Sequence, residues 1–447
     1  MSNVPDPLDL LADLLAAAKR AGADSADAVF FEAASLAVAQ RLGKSEKLER
    51  SESRDLGLRV LVGKRQAIAS TTDFAPDSLD ALVARALAMA RAAPEDPYCG
   101  IADPGQLATG LRDLDICDDV EPTAETLVAR AREAEDAARA VEGVTNSEGA
   151  EAGWSRSTIA LAATNGFAQS YAASSQSIAA SVLAGEGTAM ERDYDFHTAV
   201  HGSDLRAPAE IGHGAGERAV RRLNARKIET AQVPVVYDPR VSGGLLRHLS
   251  SAINGPSVAR GTSFLKDKLG QRIFPQGVQV VDDPHRPRGL RSKPFDAEGV
   301  ANGRRAVIED GVLQTWIMDL ASARQLGLET TGHAARGTAS PPSPAVTNLW
   351  MQAGAIPPGA LIGEIDSGFY VTELIGMGVN AVTGDYSRGA TGYWIENGEI
   401  AYPVSEVTVA GNLKDMFANL TPADDLEFRF GVDAPTIRID GMTIAGI

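Results

Sequence analysis

Leu8, Leu11, Leu15 and Ala18 recur at helical spacing behind Pro7 and ahead of Gly22, which predicts an amphipathic helix of about four turns. The run FFEAASLAV, within 28–38, carries a strand signal, and a polar stretch rich in Ser, Glu and Lys follows at 45–53. Leu56, Leu58, Val60 and Val62 then alternate with Gly57, Arg59 and Gly63, the pattern of a half-buried strand. Leu79, Leu82, Val83, Ala86 and Ala90 predict a second helix, capped by Asp77 or Ser78 and ended by Pro94. A third runs from Thr123 to Val141 behind Pro122, and 144–184 reads as long strands with a hairpin at Asn165-Gly166. One more helix is expected over 207–227.

Near residue 230 the texture changes. Gly and Pro punctuate short β-prone runs, and hairpin dipeptides recur at Asp310-Gly311, Asn397-Gly398 and Asp440-Gly441. Helices are predicted over 239–252 and near 318–327, and 333–346 (HAARGTASPPSPAV) reads as a loop. The fold expected is α+β: an N-terminal domain over 1–230 with helices on a mostly antiparallel sheet, then a β-dominated domain over 231–447.

Charge and composition narrow the function classes. Lys and Arg number 42 against 59 Asp and Glu, a net charge of -17, which repels a phosphate backbone and argues against direct nucleic-acid binding. The two cysteines, Cys99 and Cys117, make neither a disulfide framework nor a C-x-x-C site, so a reducing cytoplasm is expected. Asp9 and Asp13 break the N-terminal apolar stripe, and no window of about 18 uncharged apolar residues occurs, so neither a signal peptide nor a membrane span is expected.

Candidate chemistry is sparse. GHGAG at 212–216 lacks the spacing of a dinucleotide loop and follows a helical pattern. None of the six histidines forms an H-E-x-x-H pair; His197 and His201 are four apart in a strand-like run. Asp282, Asp283 and His285 sit in DDPHRPRG, expected as a solvated surface loop. In GDYSRG (384–389), Ser387 lacks the glycine two residues before it that a nucleophile elbow needs, and the segment reads as a glycine-flanked turn offering donors with Arg388. His248 lies alone beside the apolar face of Leu245, Leu246, Leu249 and Ile253.

The run AVTGDYSRGATGYWIENGEIAYPVSEVTVAGNL (381–413) closely resembles the TldE/PmbA branch of the TldD/PmbA peptidase family. RVSGGLLRHLSSAINGPSVARGTSFL (240–265), TTGHAARG (330–337) and the two-domain layout extend the likeness over essentially the whole chain. The resemblance implies a cytosolic metalloprotease built as a TldD–TldE heterodimer, acting on peptides and small unfolded proteins, microcin precursors and an antitoxin among them. In the catalytic paralogue a helix bearing H-E-x-x-x-H supplies two zinc ligands and the general base, and a later cysteine completes the set. Here Arg247, His248 and Ala252 occupy the His, Glu and His positions, and no Cys lies near Gly384 to Arg388.

The expectation is therefore a chain without catalytic residues or bound metal of its own, with zinc in a TldD-like partner. Asp385, Tyr386, Ser387 and Arg388, together with the 333–346 loop, are expected to wall a groove in which an extended peptide pairs by backbone hydrogen bonds. A noncatalytic homodimeric peptide-binding or scaffold protein is the alternative, and an independent hydrolase using Ser387 or His248 a third reading. The family's label as a modulator of DNA gyrase is expected to reflect, at most, proteolysis of a regulator.

Overall fold

The computed structural model describes residues 6–446. Asp6 accepts a hydrogen bond from the Leu8 amide and Pro7 sets the first turn of α1 (Pro7–Arg20), whose Leu10, Leu11, Leu14, Leu15 and Ala18 are buried. The first sheet is built from β1 (Ser25–Arg41), β2 (Lys44–Val62), β3 (Arg65–Thr71), β4 (Val144–Ala163), β5 (Ala168–Ala184) and β6 (Glu191–Ala199). Its order is β3-β2-β1-β4-β5-β6, with antiparallel pairing throughout. The β4–β5 hairpin turns at Asn165-Gly166, as the dipeptide predicts, with Gly166 at φ 96°.

Residues on one side of β1 account for the helix layer. Ala26, Ala28 and Phe30 pack under α1 and α2 (Pro76–Ala92), whereas Leu36 and Val38 pack under α3 (Ala124–Arg139) and α4 (Pro208–Arg221). The glycines of GHGAG serve that packing. A Cβ on Gly212 would lie 1.9 Å from the Ala134 carbonyl oxygen and one on Gly216 would lie 2.8 Å from that of Ala138, so both glycines let α4 approach α3. The other side of β1, at Val29 and Phe31, faces Phe295 from the second half.

The polar stretch at 45–53 is not a connection but the exposed first half of β2, paired with β1. It carries charge on both faces because no layer covers either one, and its alternation is lost accordingly. Arg54 and Glu32 instead form a cross-strand ion pair at 2.6 Å, a solvated edge that resists pairing with other chains.

In the second half, β7 (Ala231–Tyr237) pairs in parallel with strand Ser367–Ile375 and antiparallel with strand Ile437–Ala445. Strands Asp385–Glu396 and Glu399–Asn412 extend the sheet, and Thr408–Ala410 pair with Thr443–Ala445, so five strands close into a ring. A second, five-stranded sheet includes the short strands Val280–Asp282, Leu349–Met351 and Val432–Asp433. α5 (Pro239–Ala252) lies between them, its Leu245, Leu246 and Leu249 in one core with Val235, Phe369, Val280, Leu349 and Val432. Helix Leu320–Leu326 also falls where the sequence places one.

Charged side chains join the halves. Arg222 meets Glu373 at 2.7 Å, Arg240 meets Asp193 at 2.8 Å, and Arg336 pairs with Asp27, which also accepts from Arg59. Arg59, Arg336 and Asp27 side chains are each 3–4% exposed. Such a buried set holds only when every charge is answered.

Candidate functional site

Asp238 caps α5 by accepting from the Arg240 amide, and Pro239 occupies its first turn. Two sides of this helix differ sharply. His248 and Ala252 are four apart and share one of them. The His248 ring stands edge-on to Tyr386, with centroids 5.8 Å apart and planes at 81°. Burial, reinforced by the Arg388 charge, pushes the His248 pKa below its usual 6.5, so the ring is neutral at pH 7. The other side presents Arg247, Ser250, Ser251 and Asn254 to a 310 Å³ pocket, closed by Arg291, Ile317, Pro344, Ala345, Val346 and Val432.

The GDYSRG segment corrects the expectation of a turn. Asp385 begins a strand that pairs with 399–412, and from Gly389 onward also with 367–375. Tyr386 is bridged to Val379 and the Ser387 amide donates to the Gly378 carbonyl at 2.7 Å, so both backbone edges are occupied. No peptide strand can add there without displacing a native one. Gly384 keeps a turn conformation, φ 87°, just ahead of the strand, whereas Gly389 lies within it.

Side chains along this strand alternate. Tyr386, 2% exposed, turns inward beside His248, while Asp385 and Ser387 are exposed. Tyr386 therefore offers a peptide no surface in this arrangement. Asp385 accepts from Thr383 at 2.6 Å and Asn412 at 3.0 Å, which holds its carboxyl below the usual range. Arg388 donates to the carbonyls of Ile375 and Leu374, each at 3.3 Å. Ser387 points away from the side that meets His248, so that imidazole is not placed to activate it.

The 333–346 segment is also only partly what its composition suggests. His333 is 1% exposed, with Nε2 3.0 Å from Asp282 and Nδ1 3.0 Å from Thr331. Asp282, expected in a solvated loop, is fully buried in a strand and also accepts from the Thr347 amide at 2.7 Å. Its partners lie 51 and 65 residues away, which no local pattern reveals. Of this segment only Pro344, Ala345 and Val346 line the pocket with Arg247. His197 and His201 do not converge: the first accepts from the Arg206 amide and the second meets Asp115.

A catalytic zinc site needs three side chains with available lone pairs and an open position. α5 provides a guanidinium at 247, one imidazole at 248 and a methyl group at 252. Among the described residues no three or more His, Cys, Asp or Glu side chains gather to hold a metal ion. These residues do not fit zinc. The residue that local reading missed is Arg291, visible in the sequence only as part of an Arg-containing run, yet lining the same pocket as Arg247.

Three sequence patterns of known families match: PmbA/TldA metallopeptidase domain 1 at 26–90, the central domain at 118–223 and the C-terminal domain at 230–446. The metalloprotease PmbA of Escherichia coli O157:H7 is 38% identical over 426 residues, 95% of this chain and 92% of that protein. A PmbA homologue of Haemophilus influenzae is 36% identical over 433 residues, covering 96% and 94%. Among solved structures, a Bacteroides thetaiotaomicron protein named as a candidate modulator of DNA gyrase superposes with a TM-score of 0.92 at 25% identity, covering 99% and 100%. TldE of Thermococcus kodakarensis has the same fold, with a TM-score of 0.87 at 20% identity over 98% and 100%.

Proposed function

From the premise that this chain belongs to the PmbA/TldA metallopeptidase family, we propose that it is the TldE/PmbA-type, non-metal subunit of a cytosolic heterodimeric protease. A TldD-like partner supplies zinc, the general base and the catalytic centre, and the substrates are peptides and small unfolded proteins. The observation that carries this reading is α5 itself: Arg247 and Ala252 offer no lone pair to a metal, which leaves the single imidazole of His248 where a catalytic zinc needs three ligands. His248 and Ser387 on different sides of strand 385–396 weigh against an independent hydrolase. No helix among the described residues is long and apolar enough to cross a membrane.

We assign the partner surface to the turn beside Asp385. Ile375, Met377 and Val382 are 59%, 95% and 55% exposed there, apolar area suited to burial against another chain. Zinc content and peptidase activity, measured on the chain alone and after co-expression with a TldD-like protein, test the non-metal subunit reading. Metal and turnover should appear only in the mixture, at about one zinc per heterodimer. Stoichiometric zinc or turnover in the chain alone overturns the reading, and peptide binding without turnover in any mixture favours the homodimeric scaffold.

A further inference from the structure

The helix side facing away from His248 carries a feature that the loss of zinc ligands does not explain. Arg247 and Arg291 both line the 310 Å³ pocket, and among the described residues neither guanidinium has a carboxylate within ion-pairing distance. In a chain of net charge -17, Arg247 and Arg291 make this pocket a local positive patch. Their mutual repulsion registers on Arg291, whose pKa is lowered by burial first and by the Arg247 charge next.

Nearby acids are committed elsewhere. Asp282 accepts from His333, Thr347 Oγ1 and the Thr347 amide. Asp433 accepts from the Arg429 and Phe430 amides at 2.9 and 2.8 Å. Both favour the charge on Arg291 only from a distance. The Ser250 and Ser251 hydroxyls donate to the Arg247 carbonyl, and the Asn254 amide donates to the Pro344 carbonyl. The two guanidiniums are therefore the pocket's available charged donors, and each presents a planar fork matched to an oxyanion.

The remaining wall is apolar, from Ile317, Pro344, Ala345, Val346 and Val432. At 310 Å³ the pocket lies near the small end of the range for ligand sites, about 300–1,000 Å³, so it has room for a chain end and not for an extended peptide. From this juxtaposition we infer that Arg247 and Arg291 receive the C-terminal carboxylate of a peptide whose last side chain is apolar. The apolar side chain rests against Ile317, Val346 and Val432. The helix side that faces away from His248 and Ala252 then anchors one end of a substrate or product peptide. This inference rests on the reading of the chain as a peptide-handling subunit, but not on who supplies the zinc.

The test is fluorescence anisotropy with a six-residue peptide, labelled at its N-terminus and ending in leucine, prepared as the free acid and as the amide. Binding is measured to the full chain alone and to its complex with the TldD-like partner. The free acid should bind at least about tenfold more tightly than the amide, the factor expected when one charge-assisted hydrogen bond is removed. Arg247→Gln and Arg291→Gln should each erode that preference and together abolish it, with unchanged melting temperatures showing that the variants fold. Sodium acetate and inorganic phosphate serve as competitors. Equal affinity for acid and amide, a preference that survives in the double variant, or no binding by either protein form overturns the inference. So does phosphate saturating the pair at concentrations where the free acid does not bind, because the site would then serve a free anion. Partner co-purification and zinc content are read separately, so failure here leaves the heterodimer assignment standing.

Discussion

Two arginine pairs in this molecule are answered in opposite ways. Arg59 and Arg336 converge on Asp27, with Glu298 3.8 Å from Arg59, at the junction of the two halves. Arg247 and Arg291 converge on open space. At the junction, burial makes each charge depend on its partners, so the set acts as a clasp. At the pocket, solvent supports the charges until a ligand replaces it. The difference teaches that the arginines matched by a buried carboxylate hold the halves together, while the pair at the pocket is left for a ligand.

The hardest blow to this contrast falls on the clasp. Asp27→Asn strips the buried Arg59 and Arg336 of their shared carboxylate and should cost about 3–5 kcal/mol, the usual loss when a buried charge is left uncompensated. Urea denaturation measures it; a loss below about 1 kcal/mol, the range of exposed pairs, would erase the distinction.

Acid and base should then separate the clasp's carboxyls. Burial pushes up the pKa of Asp27, but the Arg336 and Arg59 charges outweigh it and the net value is lowered. Its stabilisation is complete above the unfolded pKa of about 3.9 and disappears as pH falls through the folded value. Burial pushes Glu298 up to about 8, opposed by Arg59 and reinforced by Asp296. Its protonated form is stabilising below an unfolded pKa of about 4.3, and that contribution is lost as pH rises through about 8. Melting temperatures of Glu298→Gln should accordingly fall less between pH 5 and pH 9 than those of the native chain; parallel curves would contradict the assignment.

Smaller effects are expected at α5. Arg247→Gln and Arg291→Gln should leave stability within about 0.5 kcal/mol, as exposed substitutions do, even while the carboxylate preference is lost. A larger destabilisation would make the pair structural after all. Smallest of all, Arg388→Gln should raise the His248 pKa toward 6.5 by removing the lesser of its two causes, with burial still holding it down. An NMR titration of the ring reads the shift, and an unmoved pKa would place Arg388 too far away to matter.

The parts legible in the sequence were those set by near neighbours along the chain. The Leu8-to-Ala18 stripe, the Leu56-to-Val62 alternation, the Asn165-Gly166 turn and the apolar face of α5 each have a single local cause. Residues 44–54 of β2 were hidden because a strand solvated on both faces has no alternation to display. Segment 384–389 was hidden because its two glycines look alike in the sequence, although Gly384 stands in a turn and Gly389 within a strand. The replacement of the two zinc ligands at 247 and 252 and of the general base at 248 could be read from residue types, but the different sides of α5 acquire meaning only from distant chain. Arg291 reaches Arg247 across 44 positions and Arg336 reaches Asp27 across 309, beyond any periodicity.

The ring in the second half also sets a clock. β7 cannot be flanked on its second edge until strand Ile437–Ala445 has been made, because Ile444 pairs with Ala231. At about 5–20 residues per second, a ribosome takes on the order of 10 to 40 seconds to deliver it. Through that interval one edge of β7 is a bare template, and α5 packs against an incomplete wall. The first sheet, finished long before, can mature during translation, whereas the peptidase-like half is assembled as a late, nearly simultaneous event.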